Sequence, residues 1–310
     1  MFSNASNFVE GVDTAFVVIL GICFFFLIAI TFTLVYFLYK YNKKRHPKAV
    51  QIKGSNTLEI IWTVIPTILV LVMFYYGWVG WKPMKEAPED SLEVKSVARM
   101  WSWMFEYPNG KVTDTLYVPK NQAVKLDLVS MDVLHSLYIP AFRIKQDMVP
   151  GKKDLMWFIS ENEGTYDLFC TEYCGLRHSY MATAVVVMPE EDFEEWYVDT
   201  TATAPAAEET AGAAGQMVLR NNGCFACHSV DGSRLVGPTF KGVYNHEVVV
   251  IENGEEKTVV ADDDYIIQSI YEPNVQIVKG YNKGLMQSYE GLIPEDQMQA
   301  IIEYLKTLED

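Results

Sequence analysis

Two apolar stretches near the start of the chain constrain its fold more than any other feature. The first, about residues 14–39, reads TAFVVILGICFFFLIAITFTLVYFLY, and the second, about residues 58–78, reads LEIIWTVIPTILVLVMFYYGW. A helix crossing a bilayer core needs ~20 apolar residues, so each stretch is long enough to span. A cleavable leader fits the first poorly, because no Lys or Arg precedes it and it is too long. The segment between them, KYNKKRHPKAVQIK, carries Lys40, Lys43, Lys44, Arg45, Lys48 and Lys53, whereas only Glu10 and Asp13 are charged before it. Basic loops stay on the cytoplasmic side. The expectation is a two-helix transmembrane hairpin over residues 1–81 that turns inside, with both termini outside. Pro66 is tolerable in the second span where a neighbour satisfies the freed carbonyl. Glu59 stands at the inner edge of that span, where an acid is costly and its position reads as snorkelling to the headgroups.

Beyond Trp81 the pattern changes. SLEVKSVA, AVKLDLVS, DLMWFIS and ATAVVVM are short runs rich in Val, Leu and aromatics, which read as strands. Asn109-Gly110 is a hairpin signal. Residues 82–198 are therefore expected to form an all-β sandwich or barrel, closed by a helix in PEEDFEEWYVD. Residues 199–215, DTTATAPAAEETAGAAG, have almost no bulky apolar side chains to offset ordering entropy and read as a flexible tether. Residues 216–310 form a further outer domain, with helices in DDDYIIQSIYEP and IPEDQMQAIIEYLKTLED. The net charge of −15 argues against a nucleic-acid partner, which needs clustered Lys and Arg.

The β region ends on CTEYCGLRHSYM, which gathers Cys170, Cys174, His178 and Met181. Thiolate with thioether selects soft metals. Structural zinc would want four Cys or His ligands, and a mononuclear blue-copper site takes a single Cys. Two thiolates that both bridge would instead hold a pair of coppers, each needing its own imidazole. His178 supplies one. Of the five histidines, His46 lies in the cytoplasmic loop, His228 belongs to a second motif and His246 to the other domain. His135, in SMDVLHSLYIPAF, is left as the second imidazole. A site with no open position relays electrons and makes no bonds.

The second span, the β region and the Cys-x3-Cys-x3-His-x2-Met motif with an upstream His together resemble subunit II of the haem–copper respiratory oxidases, with its binuclear copper centre, CuA. The resemblance covers essentially the whole chain. It implies a cupredoxin-like barrel, a weak copper contact from the carbonyl of Glu172, and a magnesium site shared with subunit I near the Glu172 carboxylate. It also implies that Trp101, in MWSWMFEYPNG, is where electrons from cytochrome c come in, beside the plainer role of strand packing for Trp101 and Trp103. Arg99-Met100 stands where the family often has a polar pair. For Glu59 in TLEIIWTVIP the resemblance implies proton uptake into subunit I.

The second motif is Cys224-Phe225-Ala226-Cys227-His228, the attachment pattern of a c-type haem. The opposite axial ligand in electron-carrying cytochromes is commonly Met. Met217 is too near the attachment loop, and Met298 sits at a helical core position. Met286, on a Gly-flanked loop, is the candidate. With GPTFKGVY the domain resembles bacterial class I cytochromes c, all-α, in which the carbonyl of Pro238 orients His228; Gln287 replaces the usual Pro after the Met. Cys23 is left as packing within the first span.

The combined expectation is an electron-relaying subunit of a cytochrome c oxidase, with a fused cytochrome c domain as in bacterial caa-type oxidases, in the bacterial cell membrane. Its partners would be subunit I and an external donor, either a soluble cytochrome or a neighbouring respiratory complex. A quinol oxidase subunit would lack both sets of ligands, a copper-delivery chaperone would not need His178, Met181 or a haem, and a nitrous oxide reductase would need a larger catalytic domain.

Overall fold

The computed structural model describes residues 5–48, 50–51, 53–198 and 211–308. Helix α1, Val9–Lys40, has 32 residues and α2, Asn56–Trp81, has 26. At 1.5 Å per residue both exceed the ~30 Å of a bilayer core. Their apolar windows are uncovered by the rest of the chain. Helices apolar all round need a non-aqueous surrounding, so the chain is membrane-anchored. Ser55 caps α2 by accepting the Leu58 amide at 3.4 Å, and Glu59 lies in the first turn, where a carboxylate also complements the helix dipole. The helix continues through Pro66.

The start of α1 does something the sequence did not announce: it docks on the β domain. Asp13 is buried and pairs with Arg143 at 2.7 Å, the Ser6 hydroxyl donates to the Phe142 carbonyl, and Phe8 meets Trp157 edge-on at 5.0 Å. Asn7 exchanges two hydrogen bonds with the Ile159 backbone.

The β domain has ten strands: β1 Leu92–Arg99, β2 Ser102–Glu106, β3 Val112–Thr113, β4 Leu116–Pro119, β5 Ala123–Ser130, β6 His135–Ile139, β7 Ile144–Met148, β8 Asp154–Ile159, β9 Gly164–Cys170 and β10 Ala182–Met188. They form two five-stranded sheets, ordered β3-β2-β1-β5-β8 and β4-β10-β9-β6-β7. The pairings β1–β5 and β4–β10 are parallel and the rest antiparallel. Alternation drives the packing: in β5, Val124, Leu126 and Leu128 point inward and are fully or almost fully buried. Phe105, Phe142, Phe158 and Leu137 fill the space between the sheets. Gly110, at φ 85°, makes the turn between β2 and β3. Helix α3, Glu190–Val198, closes the domain by burying Phe193 and setting Trp196 against Tyr117.

The last unit contains α4 Ala211–Asn221, β11 Glu247–Glu252, β12 Glu255–Val260, α5 Asp263–Tyr271, β13 Gln276–Val278 and α6 Glu295–Lys306. Of the stretch read as a tether, residues 199–210 lie outside the described residues, and 211–215 are the first turns of α4. Glycine at 215 serves a close helix crossing: a Cβ there would fall 1.9 Å from the Ala300 carbonyl oxygen on α6. The helical cytochrome architecture is present with one addition, a three-stranded sheet ordered β12-β11-β13. Its hairpin turns on Asn253-Gly254, both at positive φ, as a two-residue turn between right-twisted strands requires.

Candidate metal centre and haem cavity

Strand register gathers the first cluster. Leu137 of β6 pairs with Cys170 at the end of β9, so His135, two residues away, shares the inward face of Cys170. The Cys170 amide donates to the Met181 carbonyl at 3.0 Å, closing the loop that carries the other donors. Within it Cys170 Sγ lies 3.7 Å from Cys174 Sγ, 3.8 Å from His135 Nδ1 and 3.3 Å from the Glu172 carbonyl oxygen. Cys174 Sγ lies 3.5 Å from His178 Nδ1 and 3.8 Å from Met181 Sδ. The two sulfurs are far beyond the ~2.0 Å of a disulfide. They sit between two flanking sets of donors, each with one imidazole and one weak ligand. That arrangement fits two soft cations bridged by two thiolates.

The neighbouring groups fix this ring. Asp132, on the turn before β6, accepts from His135 Nε2 at 2.7 Å and from the Met100 and Val133 amides. Since the carboxylate can only accept, Nε2 carries a proton; Nδ1 faces the sulfur and would offer its lone pair to a bound metal once that metal displaces any proton there. Burial opposes the Asp132 charge, but these hydrogen bonds outweigh it and hold the carboxyl below its ordinary range. The indoles of Trp101 and Trp103 donate to the carbonyls of Cys174 and Met181 at 3.1 and 3.4 Å. Gly175, at φ 118°, lets the loop lie flat on Trp101; a Cβ there would stand 3.1 Å from the ring.

The thiols are strongly inequivalent. Burial works against a Cys170 thiolate, yet hydrogen bonding with His135 and the backbone of Ser136 and Glu172 brings its pKa down to about 6. Burial, and then the charge of Cys170, push Cys174 up to about 12. A second thiolate in this hole thus needs added positive charge, which bound metal supplies.

The second cluster lines a cavity of about 350 Å³. His228, Pro238, Cys224, Cys227 and Met286 all border it, among apolar walls that include Leu219, Phe240 and Ile301. His228 Nδ1 donates to the Pro238 carbonyl at 2.7 Å, leaving Nε2 without a proton. The ring is stacked on Phe240 at 4.6 Å. Burial lowers the pKa of His228, against the hydrogen bond to Pro238, and so favours the neutral imidazole that iron ligation requires. The apolar walls, the oriented imidazole and the paired thiols fit a haem.

Arg99, Met100 and Asp132 of the β domain border the same cavity. Arg177, one residue before His178, donates to the carbonyl of Ala226 within the Cys224–His228 motif. The Asn221 side chain donates to the Val112 carbonyl at 3.2 Å.

Among residues singled out from the sequence, Glu59 stands apart, at the end of α2 away from the β domain. The Glu172 carboxylate pairs with Lys145 at 2.9 Å on the surface. Sequence reasoning missed Asp132, whose signal was an acid three residues before His135, and it missed Arg177, whose partner is distant in sequence.

The description "Cytochrome C oxidase subunit II, transmembrane domain" matches residues 1–77, "Cytochrome C oxidase subunit II, periplasmic domain" matches 110–188, and "Cytochrome c" matches 212–309. The chain is 30% identical over 305 residues to cytochrome c oxidase subunit 2 of Alkalihalophilus pseudofirmus, covering 94% of this chain and 85% of that one. It is 29% identical over 294 residues to cytochrome c oxidase subunit 2 of Bacillus sp. (strain PS3), covering 87% and 78%. The periplasmic domain of subunit II of cytochrome oxidase of Bradyrhizobium japonicum aligns with 36% of this chain and 94% of its own, at 29% identity and a TM-score of 0.34. The chain therefore belongs to the cytochrome c oxidase subunit II family, as a membrane-anchored electron-transfer subunit with its own cytochrome c domain.

Proposed function

We propose that this subunit takes electrons from an external donor at its cytochrome c domain and hands them through its β domain to subunit I, where dioxygen is reduced to water with proton pumping. In this reading Cys224 and Cys227 tether a haem c, His228 and Met286 bind its iron, and Pro238 holds His228. His135, Cys170, Cys174, His178, Met181 and the Glu172 carbonyl hold a binuclear copper centre. When bound, each group takes up and releases one electron at a time. The observation that carries the reading is the set of four donors around two unbonded sulfurs, held by strand register, indole hydrogen bonds and Asp132. A rigid frame changes little between oxidation states, which favours fast transfer.

Trp101 lies under the metal loop, against the side where the cytochrome domain sits, and serves as the contact through which electrons reach that loop. The basic segment Lys40–Lys53 supports a cytoplasmic hairpin turn, with both termini on the outer face of a bacterial cell membrane. The exposed apolar side chains Tyr173, Leu176 and Tyr180 beside Glu172 suit a protein surface such as subunit I. The Glu172 carboxylate could share a magnesium ion there after exchanging its Lys145 partner. Glu59 is assigned to proton uptake at the inner face; replacing it with Gln should slow pumping and leave both metal spectra unchanged.

The test is the metal content of the purified full-length chain. Two coppers with a mixed-valence spin-resonance signature and one covalent haem are expected per chain. A single copper, or zinc, would overturn the reading. His135→Ala should abolish the copper signature and leave the haem absorption intact.

A further inference from the structure

The loop that holds the metal cluster and the loop that carries the haem motif are joined by one side chain. Arg177 lies between Cys174 and His178 in the chain sense, directly before an imidazole of the cluster. Its guanidinium donates to the carbonyl of Ala226, the residue between Phe225 and Cys227. Its Cζ lies 5.2 Å from the centre of the Tyr180 ring. A planar fork anchored at its base on one domain and bonded at its tip to the backbone of another fixes distance and angle together.

The surrounding contacts agree in direction. Gly223, at φ 72°, seats against Ser102, where a Cβ would fall 2.0 Å from the hydroxyl oxygen. Arg99 sits 5.2 Å from the Tyr289 ring and is 8% exposed, with its Nε unpartnered. Cys227 and Val236 pack on the β-domain core. Among the described residues, Arg177 links the backbone of the haem motif directly to the residue beside a proposed metal ligand.

We infer that Arg177 is a positioning residue that clamps the haem-attachment loop onto the metal loop and so sets the rate at which electrons cross between the two domains. This rests on the haem-to-copper transfer proposed above. The step it serves moves one electron: the haem side is oxidised by one and the copper side reduced by one. No bond or proton changes place at Arg177. The clamp also defines which face of the cytochrome domain is taken. The edge at Cys227 is turned toward the β domain, so an external donor must meet the domain elsewhere.

The experiment uses the full-length chain in the assembled oxidase, carrying Arg177→Ala, Arg177→Lys or Ser102→Trp. After one-electron photoreduction of the haem, the decay of reduced-haem absorbance gives the transfer rate. Relaxation enhancement between oxidised haem and the copper pair reports their separation. Arg177→Ala should slow transfer by about tenfold or more, the factor that loss of a charge-assisted hydrogen bond makes in a docking equilibrium. It should also weaken the magnetic coupling, with copper and haem spectra unchanged. Arg177→Lys, which keeps one donor, should recover part of the rate. Ser102→Trp, which wedges the seam without touching either loop's donors, should slow transfer too. A wild-type rate and coupling in Arg177→Ala would overturn the inference. So would loss of the copper signature in Arg177→Ala together with a wild-type rate in Ser102→Trp. If reduced haem in the unaltered chain never passes its electron to copper, the proposed function fails, and the coupling measurement still tests the clamp.

Discussion

Asp132 shows how much of the candidate metal centre is decided one atom behind the proposed ligands. Its carboxylate fixes the tautomer of His135 and at the same time collects the Met100 and Val133 amides. Asp132→Ala leaves those donors unmet and frees the imidazole to turn, so copper affinity should fall about 10–100-fold, as for other outer partners of metal-bound histidines. Asp132→Asn, which still accepts one bond, should lose less. Competition titration with a copper chelator separates the two. On the haem side the equivalent position is Gly237. A Cβ there would lie 2.5 Å from His228 Cε1 and would push the ring off the Pro238 carbonyl. Gly237→Ala should therefore convert a low-spin ferric haem toward high spin, visible in its absorption spectrum. The clustering of the candidate donors was readable because soft donors at fixed spacing have few other uses. Asp132 and Gly237 were not, since an acid in a turn and a glycine after a loop have many.

At the scale of elements, what could be read from sequence depended on whether the partner was near in the chain. β5 declares itself through strict alternation, and α6 through an acidic first turn followed by Met298, Ile301, Ile302 and Leu305 on one face. The small residues at the start of α4 did not, because composition that cannot pack broadly is also composition that permits a very close crossing. Only α6, about eighty residues later, distinguishes the two. Gly215→Val should destabilise the cytochrome domain by about 1–3 kcal/mol or more, the cost of overpacking a tight contact. Thermal unfolding followed at the haem absorption would register it, while the β domain should keep its own transition. The β11–β12 hairpin carried a usable signal in Asn253-Gly254 between alternating Val-rich runs. The expectation of an all-α domain passed over it.

Across the whole molecule, charge is sorted by position. The hairpin loop is basic, whereas residues 211–308 carry thirteen acidic against seven basic side chains. Several acids fall on and beside the added sheet: Glu247, Glu252, Glu255, Glu256 and Asp262 to Asp264. Some are paired, as Glu256 with Lys279 at 2.8 Å and Glu252 with Lys257 at 3.3 Å, but the surplus remains. The face toward the β domain meets Arg99 and the Arg177 contact, and the acids on and beside the sheet offer a field to an incoming donor. An acidic field of this kind speeds the encounter with a basic partner and does so within about one Debye length, ~10 Å at 0.1 M salt. The second-order rate of reduction by a basic soluble cytochrome should therefore fall steeply as salt rises. The intramolecular step that follows should stay constant, because its partners are already in contact and the Arg177 bond is shielded between domains. Stopped-flow mixing over a range of ionic strength separates the two phases. A bimolecular phase indifferent to salt would mean that the natural donor does not arrive by diffusion along this field, and would favour a donor held in place by a neighbouring complex.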